Sequence, residues 1–179
     1  RKHIGNARIL SVTQPNFERI VEMQLEHLDE MGDLCQKKLI VEIMGKHSNI
    51  IFTDADGTII DSIKHISHQV SSVREVLPGR TYVYPPAQEK ENPLDIDINY
   101  FRNHVLRKPI SVTKAIYTSL TGLSPVIANE ICYRAGVDGG MSTAGLSMQE
   151  QEDLYAAFDA MRTSIKEEQF APCIAYQGY

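Results

Sequence analysis

The stretch Arg19-Ile-Val-Glu-Met-Gln-Leu-Glu26 alternates without a break, with Val21, Met23 and Leu25 on one side and Glu22, Gln24 and Glu26 on the other. Side chains change face at every residue of an extended backbone, so this period predicts a half-buried strand and excludes a helix. Arg8-Ile-Leu-Ser-Val-Thr13 predicts a strand before it, across the turn sequence Gln14-Pro-Asn16. Further apolar runs over 39–44, 49–53 and 58–63 continue the series, the last two joined by Asp54-Ala-Asp-Gly57. Parallel pairing needs a crossover of a dozen residues or more, and these links are too short for one. The first half of the chain therefore predicts an antiparallel β-meander.

Five of the eight prolines (Pro78, Pro85, Pro86, Pro93 and Pro109) fall in the window that follows. Proline fixes φ and removes a ladder donor, so this window predicts an extended connector, with a boundary near residue 92. Beyond it the period changes. A helix ending in basic residues is expected over 97–107, then a helix over 111–120, the turn Thr121-Gly-Leu123, and a helix over 125–135. Ser124 as N-cap, Pro125 at the first helical position and Gly136 past the end form a matched start and stop. A Gly/Ser-rich loop over 139–145 leads to a last helix, on which Leu154, Ala157, Phe158, Met161 and Ile165 recur at helical spacing. The fold class is α+β, with a β-rich part over 1–92 and a helical part over 93–179. The helical part contains a helix–hairpin–helix over about 111–136.

Composition narrows the functional classes. A hydrophobic share of 42% and a charged share of 23% in 179 residues are those of an ordinary globular protein. No run approaches the roughly 20 apolar residues of a membrane span, so no membrane partner is expected. The three cysteines, Cys35, Cys132 and Cys173, are widely separated and read as reduced packing or surface thiols. With no export signal in the sequence, a cytoplasmic protein is expected. A net charge of −5 argues against gripping nucleic acid by bulk electrostatics, but leaves room for a local basic patch.

Arg19 lies in phase with Phe17, Val21, Met23 and Leu25, which aims it at the apolar face. There a guanidinium needs an anionic or carbonyl partner; otherwise it sits at the strand's mouth and reaches into water. Glu18, beside it, points to the opposite face. The connector Gly45-Lys-His-Ser-Asn49 carries Lys46, His47, Ser48 and Asn49 where two residues would close a hairpin. It lacks the second glycine and the following helix of an ATP-binding phosphate loop. Its donor density suits an anion or an RNA backbone, and the alternative is a solvated loop bonded to itself. Lys64, His65, Arg74 and Arg80 make a second basic group. His65 and His68 lack a third ligand at metal spacing, so no metal and no cofactor are expected, and no catalytic triad can be assembled. In the helical part, the turn at Gly122 and the helix start at Ser124 could present amides to a phosphate, with Arg102, Arg107 and Lys108 adding positive potential.

Taken together, "KKLIVEIMGKHSNIIFTDADGTIIDSIKHI", "REVLPGRTYVYPPAQEKENPL" and "ISVTKAIYTSLTGLSPVIANEICYRAG" resemble the N-terminal module of the NFACT family, from a helix end at Arg1-Lys-His-Ile4 onward. Its bacterial members were first called fibronectin-binding protein A and are regarded as ribosome-associated quality-control factors. The resemblance implies a non-catalytic module that binds tRNA, alanyl-tRNA in bacteria, and the large ribosomal subunit carrying peptidyl-tRNA. Such a module supports template-free alanine tailing of stalled chains, with peptide-bond formation left to the ribosome. It also implies a tailing-linked Asp-Arg pair at Glu18-Arg19; here glutamate replaces the usual aspartate, which keeps the charge and adds one methylene. About eighty residues of the module would lie upstream, the size of a small domain, and a coiled coil and C-terminal domain would lie beyond. The older name keeps a second expectation in view, a fibronectin-binding surface adhesin with some cell-surface occurrence. The module's likeness to formamidopyrimidine-type DNA glycosylases gives a third, a nucleic-acid-binding domain without the glycosylase's N-terminal proline.

Overall fold

The computed structural model describes residues 4–86, 89–174 and 176. The expected helix end at positions 1–3 lies outside the described residues. The chain forms two compact units, Arg1–Gln88 and Glu89–Tyr179.

The first unit is one antiparallel sheet of five strands in sequential order: β1 (Arg8–Thr13), β2 (Ile20–Leu28), β3 (Leu34–Glu42), β4 (Asn49–Asp54) and β5 (Ile59–Ser62). This is the expected meander, with one strand much longer than its apolar run. β3 begins at Leu34 rather than at 39, because it pairs with β2 along its whole length, from Leu28↔Leu34 to Ile20↔Glu42. The polar residues of its first half hide that pairing from a hydrophobic pattern. A bulge between Ile9 and Ser11 interrupts the pairing of β1 with β2.

One face of the sheet carries a small closed core of Ile20, Ile40, Ile51, Ile59 and Val76, with Met44, Ile66 and Tyr82 packed against it. The chain after β5 supplies the cover. Ile66 and Val76 form a bridge, and 79–82 runs along β5 through Gly79 N to Ile59 O, Ile59 N to Arg80 O and Tyr82 N to Gly57 O, each 2.8 Å. Beneath this cover lies Glu42, 1% exposed. Arg74 grips its carboxylate at both oxygens (2.8 and 2.5 Å), and the Tyr82 hydroxyl donates to it at 2.8 Å. Arg74 also donates to the Val83 carbonyl at 2.8 Å, and the Tyr84 hydroxyl donates to Glu22.

The second unit is helical: α1 (Ile98–Tyr100), α2 (Val112–Ser119), α3 (Pro125–Arg134) and α4 (Met148–Lys166). Phe101, Ile116, Leu120, Ile131, Leu154 and Phe158 fill its core, with Phe101 stacked on Phe158 at 5.1 Å. The first expected helix is shorter and wider than a regular one. After α1 the backbone makes a π-helical turn over Phe101–Val105, with Leu106 N bonded to Phe101 O. Residues 89–92 stand with the helices, because Glu91 N donates to Ser119 O and Glu91 O accepts from Thr121 N. Ser147 and Glu150 cap α4 reciprocally. Among the described residues no helix is long and apolar enough to cross a membrane.

Candidate nucleic-acid interface

The sheet gathers part of the expected basic set at one end, where β2 and β4 begin and β3 and β5 stop. Arg19 stands one residue before β2, and its carbonyl accepts a hydrogen bond from Ile43 N at 2.8 Å. That bond continues the β2–β3 ladder and sets Glu18 and Arg19 beside the Met44–Ser48 connector. The expectation that Arg19 points into the apolar side is corrected. Asn16 and Phe17 both take positive φ (53° and 57°), which breaks the phase with Phe17, and Arg19 is exposed.

The connector is a single tight turn. Gly45 has φ of +57°, and open space surrounds the position of a Cβ there, so the backbone angle rather than crowding calls for glycine. His47 N donates to Met44 O and Ser48 N to Gly45 O, while the Ser48 hydroxyl accepts from Met44 N at 2.9 Å. Lys46 and His47 are left on the outside, exposed. Neither they nor Arg19 has a side-chain partner among the described residues.

Asn49 corrects another expectation. It is 3% exposed and cannot offer its amide to a ligand. Its Nδ2 donates to Lys64 O at 2.9 Å, and its Oδ1 accepts from Lys64 N at 2.9 Å and Ile50 N at 3.0 Å. Asn49 thereby staples the start of β4 to the residue two past β5. Lys64, so placed, donates from Nζ to the Lys46 carbonyl at 3.1 Å. Ser48 likewise serves the turn. The polar connector is thus divided by role: Ser48 and Asn49 build the loop, and Lys46 and His47 face out.

The rest of the second basic group is held elsewhere. Arg74 is locked to Glu42, whose carboxylate raises the Arg74 pKa beyond what burial takes away. Arg80 pairs with Glu75 at 3.2 Å and lies beside Ile59, at the far end of β5 from Lys64. His65 bonds Asp61 at 2.9 Å, which holds the Asp61 carboxyl below its usual value, and His68 faces Glu75 at 3.5 Å. Among the described residues no group of three or more His, Cys, Asp or Glu side chains could hold a metal ion.

In the helical unit the hairpin between α2 and α3 turns at Gly122, φ +75°, and the Ser124 hydroxyl accepts from Ile127 N at 3.3 Å. Pro125 has no N–H, so Val126 N alone remains of the first three amides of α3. Arg102 is paired with Glu152 at 2.9 Å, and Lys108 donates to the Ser119 hydroxyl at 2.8 Å. Arg107 is exposed and has no side-chain partner among the described residues. The phosphate-binding capacity of this hairpin reduces to Arg107 and a few loop amides.

The turns at the other end of the sheet are acidic, which no motif in the sequence announces: Asp29, Glu30 and Asp33 between β2 and β3, and Asp54, the last residue of β4, with Asp56 in the turn to β5. Backbone amides of Asp33 and Met31 bond the Asp29 carboxylate and keep it ionised below its ordinary range. Strand β2, nine residues long, puts roughly 30 Å between the β2–β3 turn and the cationic end, and the six-residue β4 leaves about 17–20 Å for the β4–β5 turn, at about 3.3 Å per residue. Both distances exceed the Debye length of about 8–10 Å at physiological salt, so the acidic turns do not cancel the cations. A net-charge count cannot see this segregation; the order of turn residues along the meander could have.

The fold class is α+β, a five-stranded antiparallel sheet followed by helices. The NFACT N-terminal and middle domain model matches residues 1–179, and the chain belongs to the NFACT family. The curated Rqc2 homolog RqcH of Bacillus subtilis strain 168 is 37% identical over 175 residues, 97% of this chain and 29% of that protein. The chain therefore spans less than a third of that relative. The crystal structure of the fibrinogen binding protein from Staphylococcus aureus superposes with a TM-score of 0.78 at 32% identity, over 93% of this chain and 56% of that one. The N-terminal domain of fibronectin-binding protein PavA from Streptococcus pneumoniae superposes at 0.66 and 30% identity, over 93% and 55%.

Proposed function

We propose that this chain is a non-catalytic, RNA-binding part of a cytoplasmic ribosome quality-control factor. Its cationic sheet end would contact tRNA or ribosomal RNA on a large subunit that still holds peptidyl-tRNA. The observation that carries the reading is the convergence of Arg19, Lys46, His47 and Lys64 at one end of the sheet, the side chains of the first three without a partner among the described residues. Family membership and relatives that carry the Rqc2 homolog name supply the ribosomal context. Arginine offers a planar fork to phosphate and lysine a point charge, so Arg19 is assigned the oriented contact and Lys46 and Lys64 the diffuse one. Glu18 is assigned to a donor on the RNA or on an amino acid carried by it. Template-free alanine tailing follows as the activity of the whole factor, with the peptidyl transfer left to the ribosome.

The test is co-sedimentation of the full-length protein with large subunits carrying peptidyl-tRNA, across a salt series. Removing one phosphate-binding cation should lower the slope of log affinity against log salt by about 0.7–0.9. Lys46→Ala with His47→Ala should weaken binding and flatten that slope. Unchanged affinity and unchanged tailing would dismiss the site. The names of the solved relatives favour one other reading, binding of fibronectin or fibrinogen. Saturable, nuclease-insensitive fibronectin binding that survives those substitutions would support it.

A further inference from the structure

The hairpin of β2 and β3 ends on apolar side chains that stand in the open. Leu28 and Leu34 face each other in its last pair and are 65% and 64% exposed, and Met31, in the turn, is 90% exposed. No other large apolar side chain among the described residues is as exposed as Met31. The turn that carries it is held tightly. The Asp29 carboxylate accepts from Met31 N at 2.8 Å and from Asp33 N at 2.9 Å, Asp29 N donates to Asp33 O at 2.9 Å, and Gly32 reverses the chain at φ +85°. Met31 is thus presented from a fixed backbone, which lowers the ordering cost of a contact. Residues 26–34 hold four carboxylates, Glu26, Asp29, Glu30 and Asp33, and no lysine or arginine. The strand registers set a single cation against them, Arg8 opposite Glu26. One exposed leucine calls for no explanation, but three apolar side chains gathered on a pinned turn mark a contact surface. Methionine, unbranched and polarizable, adapts to irregular partners and is enriched at interfaces.

We infer that this hairpin tip docks on a protein of the large ribosomal subunit, at an apolar pocket rimmed by lysine and arginine. The inference rests on the ribosomal reading above, and the charge of the tip selects among the surfaces that a subunit offers. Four carboxylates repel RNA phosphate, as they would an anionic lipid surface, so the partner is a protein and its rim is cationic. The apolar centre with a charged surround matches the usual layout of a protein–protein contact. The cationic end of the sheet lies roughly 30 Å away along β2, so one particle can hold RNA at one end and protein at the other.

The experiment places photo-reactive benzoylphenylalanine at Met31 in the full-length protein, mixed with purified large subunits carrying peptidyl-tRNA. Mass spectrometry then identifies what irradiation joins to it. The expected product is one subunit protein, cross-linked through an apolar residue flanked by lysine or arginine. A cross-link to ribosomal RNA or tRNA, to another part of the same molecule, to a second copy, or to nothing would each overturn the inference. With the probe moved to Leu34, Met31→Ser and, separately, Asp33→Lys should each lower the yield about tenfold at limiting subunit concentration. Unchanged yields in both would overturn it independently. A further arm separates this inference from the RNA-binding proposal: the Met31 probe is offered proteins extracted from the large subunit and freed of RNA. Cross-linking should persist there and be indifferent to Lys46→Ala with His47→Ala. Its absence would overturn the docking inference and leave the RNA site standing.

Discussion

Replacing Glu42 with alanine removes the centre of the buried network that fixes residues 74–84 on the sheet. The side chain of Glu42 is fully enclosed and that of Arg74 only 12% exposed, so solvent takes over little of the vanished interaction. Three hydrogen bonds to the carboxylate disappear, and a guanidinium remains with the Val83 carbonyl as its principal partner. Breaking one side of such a pair costs about 3–5 kcal/mol, because the surviving charge stays buried. Against a typical domain stability of about 5–15 kcal/mol, this is a large fraction. With a urea slope of about 1–2 kcal/mol/M, the midpoint of unfolding by circular dichroism should fall by about 2 M. Replacing both partners, Glu42→Leu with Arg74→Met, should recover most of the loss, since apolar replacements leave no orphaned charge. A double-mutant cycle over Glu42→Ala and Arg74→Ala should give a coupling of about 2–3 kcal/mol. A Glu42→Ala loss below about 1 kcal/mol, or a coupling near zero, would refute the assignment of this network as the clamp on the loop.

Asn49→Ala should cost about 2–3 kcal/mol from three buried hydrogen bonds, and Asn49→Asp should fail to replace it because the donor to Lys64 O is gone; RNA binding should fall only in step with the melting temperature. Arg19→Lys should retain the salt slope of subunit binding while losing affinity, and Arg19→Ala should lose both, as read by co-sedimentation. Burial, reinforced by the Glu42 carboxylate, raises the Tyr82 pKa, and burial, reinforced by Glu22, pushes Tyr84 up to about 12. The folded state thus keeps protons that the unfolded state releases above about pH 10, so stability is full below that pH and declines above it. Among the eight tyrosines, Tyr82 should ionise at 295 nm only together with unfolding, and Tyr84 only near pH 12. Bonds from the Ser147 amide and hydroxyl hold the Glu150 carboxyl below its ordinary range, so the α4 cap stabilises at neutral pH. That contribution should be lost as pH falls through the depressed value, and Glu150→Gln should remove this step from the acid-unfolding curve.

The strands were legible because their signal is local. Period-two alternation in β2 and the turn chemistry between strands require nothing from distant residues. The N-cap at Ser124 was legible for the same reason, and its hydroxyl does take Ile127 N. What could not be read was any role set by a partner far along the chain. Arg74 and Glu42 are 32 positions apart and Asn49 and Lys64 are 15, and neither pairing follows from propensity. Arg74 reads as a surface cation and Asn49 as a ligand donor for that reason alone. Arg19 departs from expectation differently: two left-handed residues before β2 shift the phase on which its placement rests.

A chain with five more negative than positive charges is a poor polyanion binder only if its charges are mixed. Here the meander sorts them. Each reversal of an antiparallel strand delivers its turn to alternate ends of the sheet, so the turns before β2, after β3 and after β5 share one end, and the turns after β2 and after β4 share the other. The composition of alternate turns therefore sets the sign of each end, whatever the total. The carboxylates of Asp29, Glu30, Asp33, Asp54 and Asp56 account for much of the negative balance; those of the β2–β3 turn stand about three Debye lengths from Lys46, and Asp54 and Asp56, at the far end of the six-residue β4, about two. Moving one of these charges, as in Asp56→Lys, should leave subunit affinity at physiological salt nearly unchanged. The same exchange of sign at the cationic end, Lys46→Asp, should lower it by one to two orders of magnitude, because each phosphate contact is worth about one unit of the salt slope. Equal effects of the two substitutions would mean that the protein's total charge, and not the sheet end, governs binding.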